Sequence, residues 1–372
     1  METIKVLHIV GGGEFGGAER SILDLIRFLP QPYQPMVACF YQGRFQEALQ
    51  NAGIPCLVVP NQGRYDWRLT GSLREIIRSN AIDIVHTHGV RANFFGRLAG
   101  RLERKPVLTT VHSNLEHDYP ERSSRWVAWL MERTTRSMSS RFIAVSNGVK
   151  RDLVRTGVAP EKIRVVHNGI DLSRWQKNPG DERMMHRELG IPEHVPLIGM
   201  VARLHPVKGH AVFFRAAARV LQMGLEAHFV SIGEGHWRGE LAQLAEELLP
   251  SGSHTFLGFR SDVACWMSGL DIQVNASLAE GLGLSILESM ALGIPVVASR
   301  VGGIPEIIEH ERNGLLFEPG DDRALAEALS RLLREPELAN KLGMTGKQTV
   351  ESKFRLEIMA ENTADCYREL LG

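Results

Sequence analysis

Short, continuously apolar runs alternate along the whole chain with stretches whose apolar residues recur at helical spacing. In the first half the runs are IKVLHIV, QPMVACFY, IPCLVVP, DIVHTHG, PVLTTVHS, RFIAVSN and IRVVHNG, separated by segments such as AERSILDLIRFL. Runs that stay apolar on successive residues suit strands buried on both faces of a parallel sheet with helices on either side. The pattern restarts in the second half with PLIGMVAR, LEAHFVSIG, HTFLGF, DIQVNAS, IPVVASR and GLLFEPG. Between the halves lies GIDLSRWQKNPGDERMMHRELGIPEHVPL, which is polar, contains Pro and Gly and holds one short helical segment. It predicts a boundary near Asp171. The expected architecture is therefore α/β: two doubly wound domains facing a central cleft, with ligands bound where the carboxyl ends of the strands line it.

Length and composition agree with this division. At 372 residues the chain exceeds one ordinary core, and its apolar and charged fractions are those of a globular protein. No apolar run approaches the ~18 residues that span a bilayer. A strand begins within a few residues of the N-terminus, so no secretory signal is expected. The four cysteines (Cys39, Cys56, Cys265, Cys366) are scattered, which suits reduced thiols in the cytoplasm. Zero net charge hides an asymmetry: residues 1–170 carry 23 Lys and Arg against 15 Asp and Glu, and the remainder carries 20 against 28. The basic half suits either anionic headgroups and phosphorylated acceptors or simple attraction between the two domains.

The first candidate chemistry is HIVGGGEFGGAERSILDLIRFL, in which Gly11, Gly13 and Gly16 satisfy G-x-G-x-x-G between a strand and a helix. A dinucleotide-binding turn also needs a carboxylate after the second strand, and there the chain reads Gln42, Gly43, Arg44. What remains is a helix start at Gly16 and Gly17, where N–H groups and the helix dipole favour an anion or a sugar oxygen. A nicotinamide-dependent dehydrogenase is thereby disfavoured.

In the second half, GMVARLHPVKGH places Arg203 and Lys208 between a strand and a helix, a pair of cations suited to a diphosphate. NASLAEGLGLSILESMALGIPVVAS then sets Glu280 on a loop and Glu288 about one turn inside a helix read over Ser285 to Leu292. The intervening Gly281 to Leu284 presents backbone N–H groups, and two carboxylates beside a phosphate-binding turn suit the hydroxyls of a ribose and a hexose.

On these residues the sequence resembles the family 4 glycosyltransferases, retaining enzymes of the two-Rossmann-domain GT-B fold. The likeness runs through GGAE at Gly16, DIVHTHG at Asp83, TTVHS around His112, AVS at Ser146 and HNGID at Asn168. It continues through Arg203 and Lys208, the E-x7-E motif AEGLGLSILE and GGIPEII at Gly302. The E-x7-E motif is its specific part, and Leu282 stands where the family commonly has an aromatic residue. The resemblance implies an acceptor-binding N-terminal domain (1–170 with a crossover helix, 355–372) and a nucleotide-sugar-binding domain (171–354). Arg203 and Lys208 would hold the donor diphosphate, Glu288 the ribose, and Glu280 the transferred sugar with the backbone of Gly281, Leu282, Gly283 and Leu284. Gly16 and Gly17 would admit the diphosphate, Phe259 and Arg260 would contact the base, and His112 would reach the sugar.

The implied reaction is metal-independent transfer of a hexose from a nucleotide-sugar, most simply a UDP-sugar, to a glycan, lipid-linked or small-molecule acceptor, as in surface-polysaccharide or glycolipid synthesis. No D-x-D motif suggests a metal-held diphosphate, so no metal and no cofactor beyond the donor is expected. Alternatives are an isomerase resembling UDP-N-acetylglucosamine 2-epimerase and a nucleotide-sugar-binding protein without turnover. His86 and His88 form an H-x-H pair whose spacing on a strand permits metal binding, but no partner ligand shares the motif, and hydrogen bonding at a cleft edge is the simpler reading. His8 and His167 read as structural residues at strand ends. Residues 121–141, with Trp126, Trp129, Leu130 and several arginines, suit either a membrane-surface helix or a core-facing helix with a solvated basic edge. No nucleic-acid-binding module is present. Acceptor selection is expected in YQGRF, NQGRYDWR and NLEHDYPERSS. The expected location is the cytoplasm, with peripheral contact to the inner face of a membrane through the basic half.

Overall fold

The computed structural model describes residues 3–13, 15–63, 66–113, 122–178 and 180–372. The chain divides into two compact units, Met1–Gly169 with Leu356–Gly372, and Ile170–Arg355. The first holds β1 (Ile4–Val10), β2 (Tyr33–Cys39), β3 (Cys56–Val58), β4 (Ile84–His88), β5 (Val107–Val111), β6 (Arg141–Ala144) and β7 (Ile163–Val165). The second holds β8 (Leu197–Val201), β9 (His228–Ile232), β10 (His254–Gly258), β11 (Ile272–Asn275), β12 (Val296–Ser299) and β13 (Leu315–Phe317). Every apolar run forms a strand, and every strand pairing is parallel.

The strand orders are β3-β2-β1-β4-β5-β6-β7 and β10-β9-β8-β11-β12-β13. Each sheet thus grows outward in one direction from its first strand and then in the other. The reversal falls between β1 and β4 in one unit and between β8 and β11 in the other. In open α/β sheets this is where the loops leaving the carboxyl ends diverge and leave room for a ligand.

Packing follows from the runs themselves. Val6, Leu7, Ile9 and Val10 of β1 are all buried, as two helical layers require. The helix Val90–Leu102 lies close on the sheet because Gly96 and Gly100 face it: a Cβ on either would stand 2.6 Å from Thr87 or Val107. The last helix, Leu356–Leu371, belongs to the first unit. It buries Leu356, Met359, Ala360, Ala364 and Tyr367 with Val6, Ile84, Leu108 and Ile143. Its outer edge is held by Arg164, which pairs with Asp365 at 2.9 Å and Glu369 at 2.7 Å.

The helix Arg122–Thr135 has a mixed inner face, with Ala128 buried and Met131 packed on the core beside a buried carboxylate. Glu132 accepts from buried Arg97 at 2.7 Å and from Asn93 at 2.7 Å, while Arg97 also donates to Thr109 on β5 at 3.2 Å. Trp126, Trp129 and Leu130 are exposed instead of core-facing, with Arg133 over the Trp129 ring. Residues 114–121, most of the expected loop NLEHDYPERSS, lie outside the described residues, as do residues 64–65 of NQGRYDWR. No helix among the described residues is long and apolar enough to cross a membrane.

Candidate functional site

In the second unit the strand reversal is occupied by charge. From β8 the chain passes Arg203 and enters a short turn, Pro206–Lys208, whose first N–H is capped by His205: its Nδ1 accepts from Val207 at 3.2 Å. Gly209 follows at φ +75° and starts the helix His210–Gln222. Its missing side chain matters twice, since a Cβ there would be strained and would stand 1.9 Å from the Ala276 carbonyl oxygen.

Ala276 begins the loop after β11, which is held on several sides. Leu278 N–H donates to Val207 at 2.7 Å, and the Ser299 hydroxyl donates to the Ser277 carbonyl at 2.5 Å. Gly302, at φ +54°, lies under Glu280, and a Cβ there would fall 1.7 Å from the Glu280 carbonyl oxygen. So confined, Glu280 directs Oε2 to Lys208 Nζ at 2.7 Å and accepts from the Ser277 hydroxyl at 3.1 Å. The two charged side chains are only 18% and 15% exposed, which strengthens the charge-assisted bond over a solvated pair. An ammonium has three donors and Lys208 spends one on Glu280, so the pair keeps capacity for an anion beside it.

Gly283, at φ +100°, opens the helix Leu284–Ala291, one residue ahead of the expected Ser285 start; the first N–H groups of a helix need partners from outside it. Gly281, Leu282 and Gly283 are buried, and Leu282, 2% exposed, packs into the core, so only its backbone is available to a ligand. Glu288 is half-buried on the second turn. Arg203 is exposed on the β8 loop, where Leu204 N–H donates to the Glu234 carbonyl at 2.9 Å. Phe259 is 44% exposed after β10. Arg260 lies over the Trp266 ring, and its fork is bound by Asp262, with bonds of 2.9 and 2.8 Å. Of the expected residues, the structure brings Lys208 and Glu280 into contact and adds Ser277, which sequence reasoning missed although it precedes Glu280 by three residues on the same loop.

In the first unit Gly16 caps the helix Gly17–Phe28, as the glycine pattern implies, but its N–H is not free. It donates to Glu19 Oε2 at 3.0 Å, so a carboxylate from the helix's own first turn occupies a position expected for a ligand anion. His112 follows β5 and is half-buried, and its Nε2 is 3.2 Å from His88 Nδ1. Burial lowers its pKa to about 4, leaving a neutral imidazole at pH 7. His86 and His88 are buried, His88 closing β4 at its carboxyl end, and both make the hydrogen bonds expected of them. His8 is in mid-strand, not at a strand end, because it pairs in register with His86.

The ring nitrogens of His8, His86 and His88 converge within 4.8 Å, close enough to be considered as a metal cluster. Both nitrogens of His8 and both of His86 are already hydrogen-bonded, to His88, Tyr367 and Thr110, so a metal would have to displace those bonds. A cavity of about 20 Å³ bordered by His88, Thr110 and His112 admits a water but no sugar.

Comparison with known proteins agrees with both halves of this description. Residues 15–174 match the family described as Glycosyltransferase Family 4, and residues 181–349 match Glycosyl transferases group 1. The α-maltose-1-phosphate synthase of Mycolicibacterium smegmatis is 31% identical over 81% of this chain and 83% of its own. The UDP-Gal:α-D-GlcNAc-diphosphoundecaprenol α-1,3-galactosyltransferase of Escherichia coli is 26% identical over 99% of this chain and 97% of its own. Among solved structures, HepE of Anabaena in complex with UDP-glucose superposes with a TM-score of 0.88 at 24% identity, covering 98% of this chain and all of that one. The sheets, the charged strand reversal of the second unit and these likenesses agree: the chain belongs to the family 4 glycosyltransferases.

Proposed function

We propose that this glycosyltransferase moves a hexose from a UDP-sugar to a glycan, lipid-linked or small-molecule acceptor, with retention of configuration and without a metal. The observation that carries the reading is the Lys208–Glu280 pair, fixed at the strand reversal of the second sheet by Gly209 and Gly302. The departing nucleoside diphosphate gains negative charge, and preorganised donors aimed at that charge lower the barrier more than a proton donor would. Lys208 with Arg203 supplies those donors, and the helix start at Leu284 adds its dipole. Glu280 accepts hydroxyls of the transferred sugar and Glu288 those of the ribose. Phe259 and Arg260 are assigned to the base, His112 to the sugar, and Gly16 and Gly17 to the diphosphate.

The relatives give the donor and acceptor classes their support: the E. coli protein is named for a UDP-galactose donor and a diphosphoundecaprenol-linked acceptor, and HepE was solved with UDP-glucose. For the first unit the reading includes peripheral contact with an anionic membrane on the cytoplasmic face. Exposed Trp126, Trp129 and Leu130, with Arg133 beside them, are its means.

The test is radiolabelled sugar transfer from UDP-, GDP- and ADP-hexoses to polyprenyl-diphosphate-linked sugars and soluble glycans, in excess chelator. Transfer from a UDP-hexose giving a product of the donor's anomeric configuration is expected. Epimerised donor without acceptor, or no turnover of any nucleotide-sugar, contradicts the proposal.

A further inference from the structure

The first sheet carries a histidine cluster that the proposed chemistry does not use. His8 on β1 is in register with His86 on β4, and His88 on β4 is in register with Thr110 on β5. Residues two apart on a strand share a face, so these four side chains form one patch on the sheet. Tyr367, from the last helix, is fully buried against it.

The contacts are sequential. Thr110 Oγ1 is 2.7 Å from His86 Nε2, and His86 Nδ1 is 2.7 Å from the Tyr367 hydroxyl. That hydroxyl is 3.4 Å from His8 Nε2, and His8 Nδ1 is 3.1 Å from His88 Nε2. His88 Nδ1 is 3.2 Å from His112 Nε2, and the chain ends at His112 Nδ1, a buried nitrogen with no hydrogen-bond partner among the described residues.

Proton counting makes this chain directional. A neutral imidazole has one N–H and one lone pair, and each link needs one proton. All four histidines must therefore carry the proton on the same ring nitrogen: Nδ1 if donation runs from Thr110 to His112, Nε2 if it runs back. Burial holds the whole set neutral, lowering the pKa of His8 to about 3 and that of His112 to about 4 and depressing those of His86 and His88 well below the ordinary range. Donation from Thr110 uses its hydroxyl proton on His86, whereas the reverse direction leaves that proton without a partner in the chain. Each direction thus leaves one donor unpaired, the Thr110 hydroxyl within β5 in the reverse and the His112 N–H in the first, and only the latter lies past the carboxyl end of β5, where a ligand can accept it.

We propose that Tyr367, His8, His86 and His88 are positioning residues that hold His112 in its Nδ1–H form, so that it presents one desolvated donor to an uncharged oxygen of the ligand. The ligand class, a sugar hydroxyl or ring oxygen, rests on the assignment of His112 to the transferred sugar; the hydrogen-bonded chain does not. A tautomer set through the four groups between Thr110 and His112 differs from that of an ordinary histidine, because its protonation site depends on a hydroxyl contributed by the C-terminal helix.

The test is long-range ¹H–¹⁵N correlation of the full-length protein labelled at histidine nitrogens, without ligand. Four histidines in the Nδ1–H form, His112 among them, support the proposal. His112 in the Nε2–H form overturns it, as does a stoichiometric metal whose removal changes the cluster's signals. In Tyr367→Phe the chain is cut, and the His8, His88 and His112 signals are expected to move toward the Nε2–H form common in water. Unchanged signals in a folded variant also overturn it. The wild-type spectrum alone decides the tautomer, so a misfolded variant leaves the test intact. A His112 signal that ignores added UDP-hexose while the Nδ1–H pattern stands supports the chain and removes only the assignment of His112 to the sugar.

Discussion

At the scale of single residues, two glycines of the sequence motifs differ in why they are glycine. Gly302 is required by the fold: its left-handed backbone and the Glu280 carbonyl 1.7 Å from an added Cβ leave no room. Gly302→Ala is expected to cost about 1–3 kcal/mol for the strained backbone alone and to displace Glu280 from Lys208. Gly16 is different, because an added Cβ would meet only Glu19 Oε2 at 3.5 Å, an ordinary contact. Under the proposed approach of the diphosphate to Gly16, Gly16→Ala is therefore expected to keep the thermal midpoint while losing turnover. Thermal unfolding and turnover of both variants check this, and equal losses of stability would contradict it. The spacing of Glu280 and Glu288 was legible because seven intervening residues set a loop and one helical turn between them. The capture of the Gly16 N–H by Glu19 was also written, as a carboxylate three residues past the cap, but the glycines drew the reading toward an outside anion. Ser277 was not legible, because its contact with Glu280 depends on how the loop after β11 folds back.

At the scale of elements, the strands were plain because a sheet buried on both faces needs continuously apolar runs, and nothing else in the chain supplies them. The helix Arg122–Thr135 was open to two readings for the opposite reason. Its inner face carries an ion pair, Arg97 with Glu132, beside only Ala128 and Met131, so apolar periodicity marks the buried face weakly, and its tryptophans are exposed. Removing one partner of a buried pair strands the other charge. Glu132→Ala is expected to destabilise the protein by about 3–5 kcal/mol, while the apolar double variant Arg97→Met with Glu132→Leu restores most of the loss. Denaturant midpoints of the three proteins test this, and a single variant as stable as the wild type would contradict it.

At the scale of the whole molecule, each unit repeats one plan: a parallel sheet, a strand-order reversal, and polar side chains gathered beside it. The second unit fills its reversal with Lys208 and Glu280, the first with a neutral histidine chain closed by the C-terminal helix. That helix was legible as a crossover only through resemblance, since its apolar stripe alone does not say which sheet it covers. The histidine chain was half legible. H-x-H announces two side chains on one face, but register with β1 and the contribution of Tyr367, 281 residues from His86, are properties of the fold.

The most direct measurement is calorimetric binding of UDP and of a UDP-hexose to the wild type and to Glu280→Gln. If Glu280 grips the transferred sugar and Lys208 the diphosphate, the variant keeps its affinity for UDP within a few-fold and loses at least about tenfold for the UDP-hexose, the loss of one charged hydrogen bond. Equal affinities of the two proteins for the UDP-hexose would contradict the account.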